Sequence, residues 1–167
     1  RDAEELACSI SSSEIFRGGP GKDGIPALTN PTTESPGGPG TEYLRDADRV
    51  IGLLVGEKVL AIPINIMWWH EIVNIDRGGK QLAVTHCPLT GSSLAFDRTP
   101  QGGVEFGVSG LLYQNNLIMY DRASEESLWP QMARAARCGT KDGTELVMFP
   151  VVEMTWKGWR TLHPETE

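Results

Sequence analysis

No apolar run in this sequence approaches the roughly 20 residues that a membrane-spanning helix needs. The longest candidate, Val59 to Trp69, is too short and is interrupted by Pro63 and Asn65. Clusters of lysine or arginine are missing as well. With a net charge of −7 and a pI of about 5.0, nucleic acid is excluded as a partner, because neutralising phosphates takes a basic stripe. A phosphate-cradling glycine loop is absent: Gly37-Gly38-Pro39-Gly40 contains a proline and opens no strand–turn–helix unit. Ser92 and Ser93 lack a G-x-S-x-G setting, and no internal repeat is visible. Cysteine is scarce, at three residues. None forms a C-x-x-C pair, since Cys87-Pro88-Leu89-Thr90 ends in a hydroxyl, and a lone thiol forms no internal dithiol couple. The sequence opens at Arg1 with neither a methionine nor the apolar core of a signal peptide, which fits a processed product whose targeting segment lies outside it.

What is present bounds the fold. A chain of 167 residues, 22% charged and 40% hydrophobic, is one domain with enough material for a core. Its 19 glycines and 11 prolines point to many turns, hence short strands. The expectation is a mostly-β (α+β) protein: a single barrel- or sandwich-like β core over 43–167, with a few short helices and a Gly/Pro-rich extended arm over 1–42. Within the arm, Ala3 to Ile10 has helical character, and Ile25 to Leu28 are the expected anchor on the body. Thr41 is placed to cap a short helix through Tyr43 to Asp46. Val50–Val55 and Lys58–Ile62 read as a hairpin around Gly56-Glu57. Pro63 suits the start of a helix running to Asn74, with Met67, Glu71 and Asn74 on one side. Along Lys80 to Cys87, Leu82, Val84 and His86 share one face, and Ala83, Thr85 and Cys87 the other. Asn115-Asn116 separates two later strands, and Thr155 caps a C-terminal helix around Trp156, Trp159 and Leu162.

The chemistry-bearing residues centre on Cys87, held at a Cys-Pro bend between two apolar runs. It is either a buried core thiol or a nucleophile or soft-metal ligand, with His70, His86 and Met119 as candidate helpers. His86 neighbours Cys87 in sequence but points to the other face of a strand. Tyr113, Asn115, Tyr120, Asp121, Arg122, Trp129 and Gln131 are the types that line a polar-rimmed pocket. Asp97-Arg98 and Asp121-Arg122 each follow an apolar strand and read as structural ion pairs at strand ends. Two cysteine readings stand. Cys8 pairs with Cys138, which ties the arm to the body in an oxidising compartment and leaves Cys87 free, or all three are reduced.

The strings I-P-A-L-T-N-P (25–31), W-H-E-I-V-N (69–74), V-T-H-C-P-L-T-G (84–91), F-D-R (96–98), F-G-V-S-G-L-L-Y (106–113), M-Y-D-R (119–122) and S-L-W-P-Q (127–131) resemble one bacterial family. It is a domain of unknown function whose members, typically exported or lipid-anchored, carry W-H-E-I-V-N-D and then T-Y-C-P-L-C-G. The resemblance covers about 18 to 164. It places His70, Cys87, Tyr113, Tyr120, Asp121, Arg122, Trp129 and Gln131 on motif positions. Thr90 stands where the family has its second cysteine, and His86 where it has tyrosine, which counts against a two-thiol role. Cys8 and Cys138 fall outside the family pattern, which suits a private disulfide.

Two functions follow as expectations. The first is a non-catalytic accessory or scaffold subunit, periplasmic or otherwise extracytoplasmic, docked on a larger membrane-associated assembly of other proteins. It has no cofactor, and its five tryptophans are the interface anchors. The alternative is a thiol-redox or copper-binding protein built on Cys87 with His70 or Met119. A hydrolase using His70 and Asp121 is the weakest reading, because no nucleophile–base–orienter set is legible.

Overall fold

Short apolar segments between glycine turns become strands throughout the computed structural model, which describes residues 6–167. β1 (Ile15–Arg17), β8 (Phe106–Tyr113), β9 (Asn116–Asp121) and β10 (Leu128–Pro130) form one sheet in that order. A second runs β11 (Val147–Phe149), β7 (Ser92–Asp97), β6 (Lys80–Cys87), β5 (Ile72–Arg77), β2 (Leu28–Thr29). The third is β12 (Val152–Thr155), β3 (Arg49–Val55), β4 (Lys58–Pro63). The strands with α1 (Ile64–His70) and α2 (Trp156–Leu162) make the expected mostly-β, sandwich-like single domain. Among the described residues no helix is long and apolar enough to cross a membrane.

Alternation along β6 explains the layering. Leu82 and Val84 project into a core shared with Ile51, Leu53 and Leu60 of the third sheet and Met67 of α1. Ala83 and Cys87 project the other way, against Phe106, Val108, Leu117, Met119 and Trp129 of the first sheet. The central sheet is therefore buried on both faces, as two-sided strands rich in valine, leucine and alanine require. The hairpin of β3 and β4 turns where expected, with Val55 opposite Lys58 and Gly56 at φ 61°. The C-terminal helix also forms as read, and the Thr155 hydroxyl accepts the Gly158 N–H at 3.2 Å.

Other elements differ from their sequence reading. The helix expected to reach Asn74 stops at His70, and Ile72–Arg77 is strand β5. Glu71, at φ 56° and ψ −32°, makes the break. Its N–H closes the last turn on Met67 O, and its carbonyl accepts the His86 N–H, both at 2.8 Å. Asn74 consequently leaves the helix face and crosses to the next sheet, its side chain bonding both the N–H and the carbonyl of Phe106 at 2.9 Å. No helix forms over Tyr43–Asp46, because the Thr41 hydroxyl is engaged by its own preceding loop, at Gly37 N and Gly38 O. A 3-10 turn over Pro39–Thr41 precedes it instead. Part of the Ala3–Ile10 segment lies outside the described residues. From Leu6 on it is non-helical, and Cys8 is disulfide-bonded to Cys138. The arm lies against the body: β1 pairs with β8, β2 runs parallel to β5, and Gly18 and Asp23 donate to Gly110 O and Val108 O.

Candidate functional site

The Cys-Pro bend is fixed by a network of five uncharged polar side chains. β6 supplies Thr85, the bend supplies Thr90, β7 supplies Ser92, β9 supplies Asn116, and Gln131 follows β10. The Gln131 amide donates to Thr85 Oγ1 at 2.8 Å and Ser92 O at 3.1 Å. Its oxygen accepts from Ser92 Oγ at 2.7 Å and Asn116 Nδ2 at 2.8 Å. Asn116 reaches on to Thr90 Oγ1 at 3.1 Å, and its oxygen accepts the Met132 N–H at 2.9 Å. Gln131 is fully buried. Thr90, at the position where the resemblance has a second cysteine, is a hydrogen-bonding member of this network.

Cys87 lies beside the network with its sulfur in the apolar layer that also holds Met119 and Trp129. It is a free, buried cysteine whose thiol points to Asn115 O at 3.9 Å. The histidines face elsewhere. His70 Nδ1 is 2.7 Å from Pro26 O, and His86 Nδ1 is 2.9 Å from Ser93 Oγ. No hydrogen bond joins either ring to Cys87. Among the described residues no group of three or more His, Cys, Asp or Glu side chains is arranged to hold a metal ion.

The seven pocket residues fall in separate places. Gln131 belongs to the network, and Asn115 sits in the adjoining turn. That turn comprises Gln114 (φ 50°) and Asn115 (φ 62°), so Asn116, named in the sequence reading only as a separator, is instead a β9 residue and the network's second amide. Trp129 stacks edge-on against Phe106 with centroids 5.6 Å apart, and its indole N–H donates to Asp121 Oδ2 at 2.8 Å. Asp121 is fully buried, with Lys141 Nζ at 3.5 Å from the same oxygen. Tyr120 and Arg122 belong to the arm contact instead: Tyr120 donates to Asp23, and Arg122 bridges Asp23 at 3.4 Å and Glu105 at 3.1 Å. Tyr113 is half-buried and bonded to Gln114. The Asp-Arg neighbours do not pair with one another, since buried Arg98 reaches Asp76 at 2.6 Å and Leu82 O at 3.1 Å. Thr85, Ser92 and Asn116 were missed by sequence reasoning. Their signal was polar residues at strand ends facing a buried glutamine.

Burial pushes the His86 pKa down, with Glu153 opposing and Arg49 assisting. The unfolded chain therefore takes up this proton more readily than the folded one. The stabilisation is complete above about pH 6.5, the ordinary histidine value, and is lost as pH falls below it toward the folded value. Denaturant titrations at pH 7.5 and 5.5 should show the wild type losing more stability than His86→Gln over that interval. Equal losses would refute the assignment.

Several large apolar side chains near these elements are exposed. Trp68 and Trp69, on the last turn of α1, are 60% and 75% exposed, and Leu89 of the bend and Met132 beyond Gln131 are 66% and 58% exposed. The Glu71–His86 backbone bond holds the end of α1 to the end of β6, and Asn116 links the bend to Met132. Comparison with curated proteins finds no match, and neither does comparison with solved structures. A family model does match, over residues 22–167: the chain belongs to DUF3179, a family described as protein of unknown function.

Proposed function

We propose that this chain is a non-catalytic accessory or scaffold subunit that works outside the cytoplasm, docked on a larger membrane-associated protein assembly. The observation that carries the reading is the pair of adjacent exposed tryptophans, Trp68 and Trp69, on the last turn of α1. Large aromatic side chains left in water at one end of a domain mark interaction sites, and tryptophan is the residue most enriched among energetic anchors. The arm lies on its own domain through β1 with β8 and β2 with β5, which counts against the arm as the docking element, so the docking surface assigned is the tryptophan pair. The disulfide favours an oxidising compartment. The copper or thiol-redox alternative has one observation in its favour, Cys87 and Met119 sharing an apolar layer, and the burial of the thiol against it.

Tagged protein extracted from its native membranes in mild detergent should migrate in a complex far above 18.3 kDa that contains integral-membrane proteins. Replacing Trp68 and Trp69 together by serine should return it to the monomer size. Exposed positions such as these usually shift stability by under about 0.5 kcal/mol, so the melting temperature should hold. A wild type that migrates as a monomer, or a double variant that stays in the complex, would refute the docking surface.

A further inference from the structure

A second feature has neither Trp68 nor Trp69 in its lining. Between the arm and the third sheet is a cavity of about 330 Å³, partly open to solvent, within the range of small-molecule sites. At about 30 Å³ per water-sized group it has room for roughly ten such groups. Its walls are Leu28, Leu60, Ile62, Ile66, Val73 and Ile75, an apolar surface that discriminates against a hydrated ion or a sugar. The roof is the arm, held down where Thr33 Oγ1 donates to Glu167 Oε2 at 2.9 Å, and Glu167 is itself tied to β4 through Ala61 N and Val59 O.

Three charged side chains reach this cavity: Glu34, Arg77 and Glu167. Both acids are engaged. Glu34 accepts the Gly40 N–H at 2.9 Å, and Glu167 is held by Lys58 and Thr33. The Glu167 pKa is lowered chiefly by those two hydrogen bonds, with Arg77 contributing from farther off. Arg77 differs from both acids. Its guanidinium bonds only backbone carbonyls, Asp76 O at 3.3 Å and Pro31 O at 3.5 Å, and forms no ion pair among the described residues. A planar fork with one positive charge and long, weak bonds, set at the edge of an apolar cavity, matches a carboxylate carried on a hydrocarbon body.

We propose that this cavity binds a small monocarboxylate with an apolar body, its tail between α1, β4 and β5 and its carboxylate on Arg77. The inference is independent of the docking surface, which shares none of these residues. Octanoate and 1-octanol are the matched probes, read by calorimetry and by the change in tryptophan fluorescence, to which Trp156 of the cavity lining contributes. Octanoate should bind saturably and raise the melting temperature, with 1-octanol at least tenfold weaker. Arg77→Gln should reduce octanoate to the level of the alcohol, and Ile66→Phe, which narrows the cavity, should abolish both. The proposal is overturned if folded wild type shows no saturable octanoate binding, or if alcohol and acid bind alike. It is equally overturned if either variant leaves octanoate affinity unchanged.

Discussion

Substituting both Cys8 and Cys138 by serine should lower the unfolding free energy by about 4–5 kcal/mol in the chain-entropy model of disulfides, the largest effect expected of any change considered. The bond joins residues 130 apart in sequence, so in the unfolded chain it closes most of the polypeptide into a loop and removes a large share of its freedom. In the folded chain it adds little that neighbouring backbone bonds do not already supply. Ser9 N donates to Arg137 O and Gly139 N to Ala7 O, at 2.9 and 2.8 Å. Leu6, Ile10 and Ile15 pack with Ile118, Tyr120 and Leu128 around the same point. Urea titration of the double variant, and of wild type under reductant, should give the same loss. Thiol counting closes the argument: the native protein should show no reactive thiol, the unfolded unreduced protein one, from Cys87, and the reduced protein three. A loss below about 1 kcal/mol, or a reactive thiol in the native state, would refute it. In a reducing cytosol the chain would lack this stabilisation, which ties the prediction to the extracytoplasmic location proposed above.

What the sequence disclosed is what local patterning controls. Alternation along Lys80–Cys87 placed Leu82 and Val84 on one face and Ala83 and Cys87 on the other, and those faces meet two different cores. Glycine turns and the Thr155 cap are equally local. Apart from the Tyr43–Asp46 helix, lost to a local bond of the Thr41 hydroxyl with Gly37 and Gly38, the errors come from contacts distant in sequence. Met67, Glu71 and Asn74 have helical spacing, yet the helix ends because a non-glycine residue takes positive φ, held there by a hydrogen bond to His86 that no local rule reveals. Arg98 sits next to Asp97 in the chain but is directed across the sheet to Asp76. At Asn115-Asn116 the two side chains are chemically identical, and only strand register decides which one enters the network. Gln131 was singled out by residue type, while its partners Thr85 and Ser92 became visible only when three strand ends met.

That meeting point supports the second large expectation. Gln131→Leu keeps the volume and apolar packing at a fully buried position while removing four hydrogen bonds. Some partners re-pair locally: Thr85 Oγ1 still donates to Leu94 O, and Ser92 Oγ lies 2.8 Å from Thr90 Oγ1. Asn116 Nδ2 keeps Thr90 Oγ1 at 3.1 Å and Ser92 Oγ at 3.3 Å, so the Ser92 carbonyl is the group that loses its side-chain bond without an equivalent replacement. At about 1–3 kcal/mol for a stranded buried group, the variant should lose about 1–3 kcal/mol. Amide exchange should quicken at Leu89 to Gly91, where Asn116 and Ser92 secure the bend. Gln131→Glu separates hydrogen bonding from shape. The ionised carboxylate cannot donate to Thr85 or Ser92 O and carries charge into a dry site, so burial should raise the folded-state pKa of the introduced carboxyl. A raised folded pKa gives stability that is present at low pH and lost as pH rises through it. Relative to wild type, this variant should therefore be less destabilised at pH 4.5 than at pH 7.5. A Leu variant within about 0.5 kcal/mol of wild type, or a Glu variant with no pH dependence of its deficit, would show that the bend is held by packing alone.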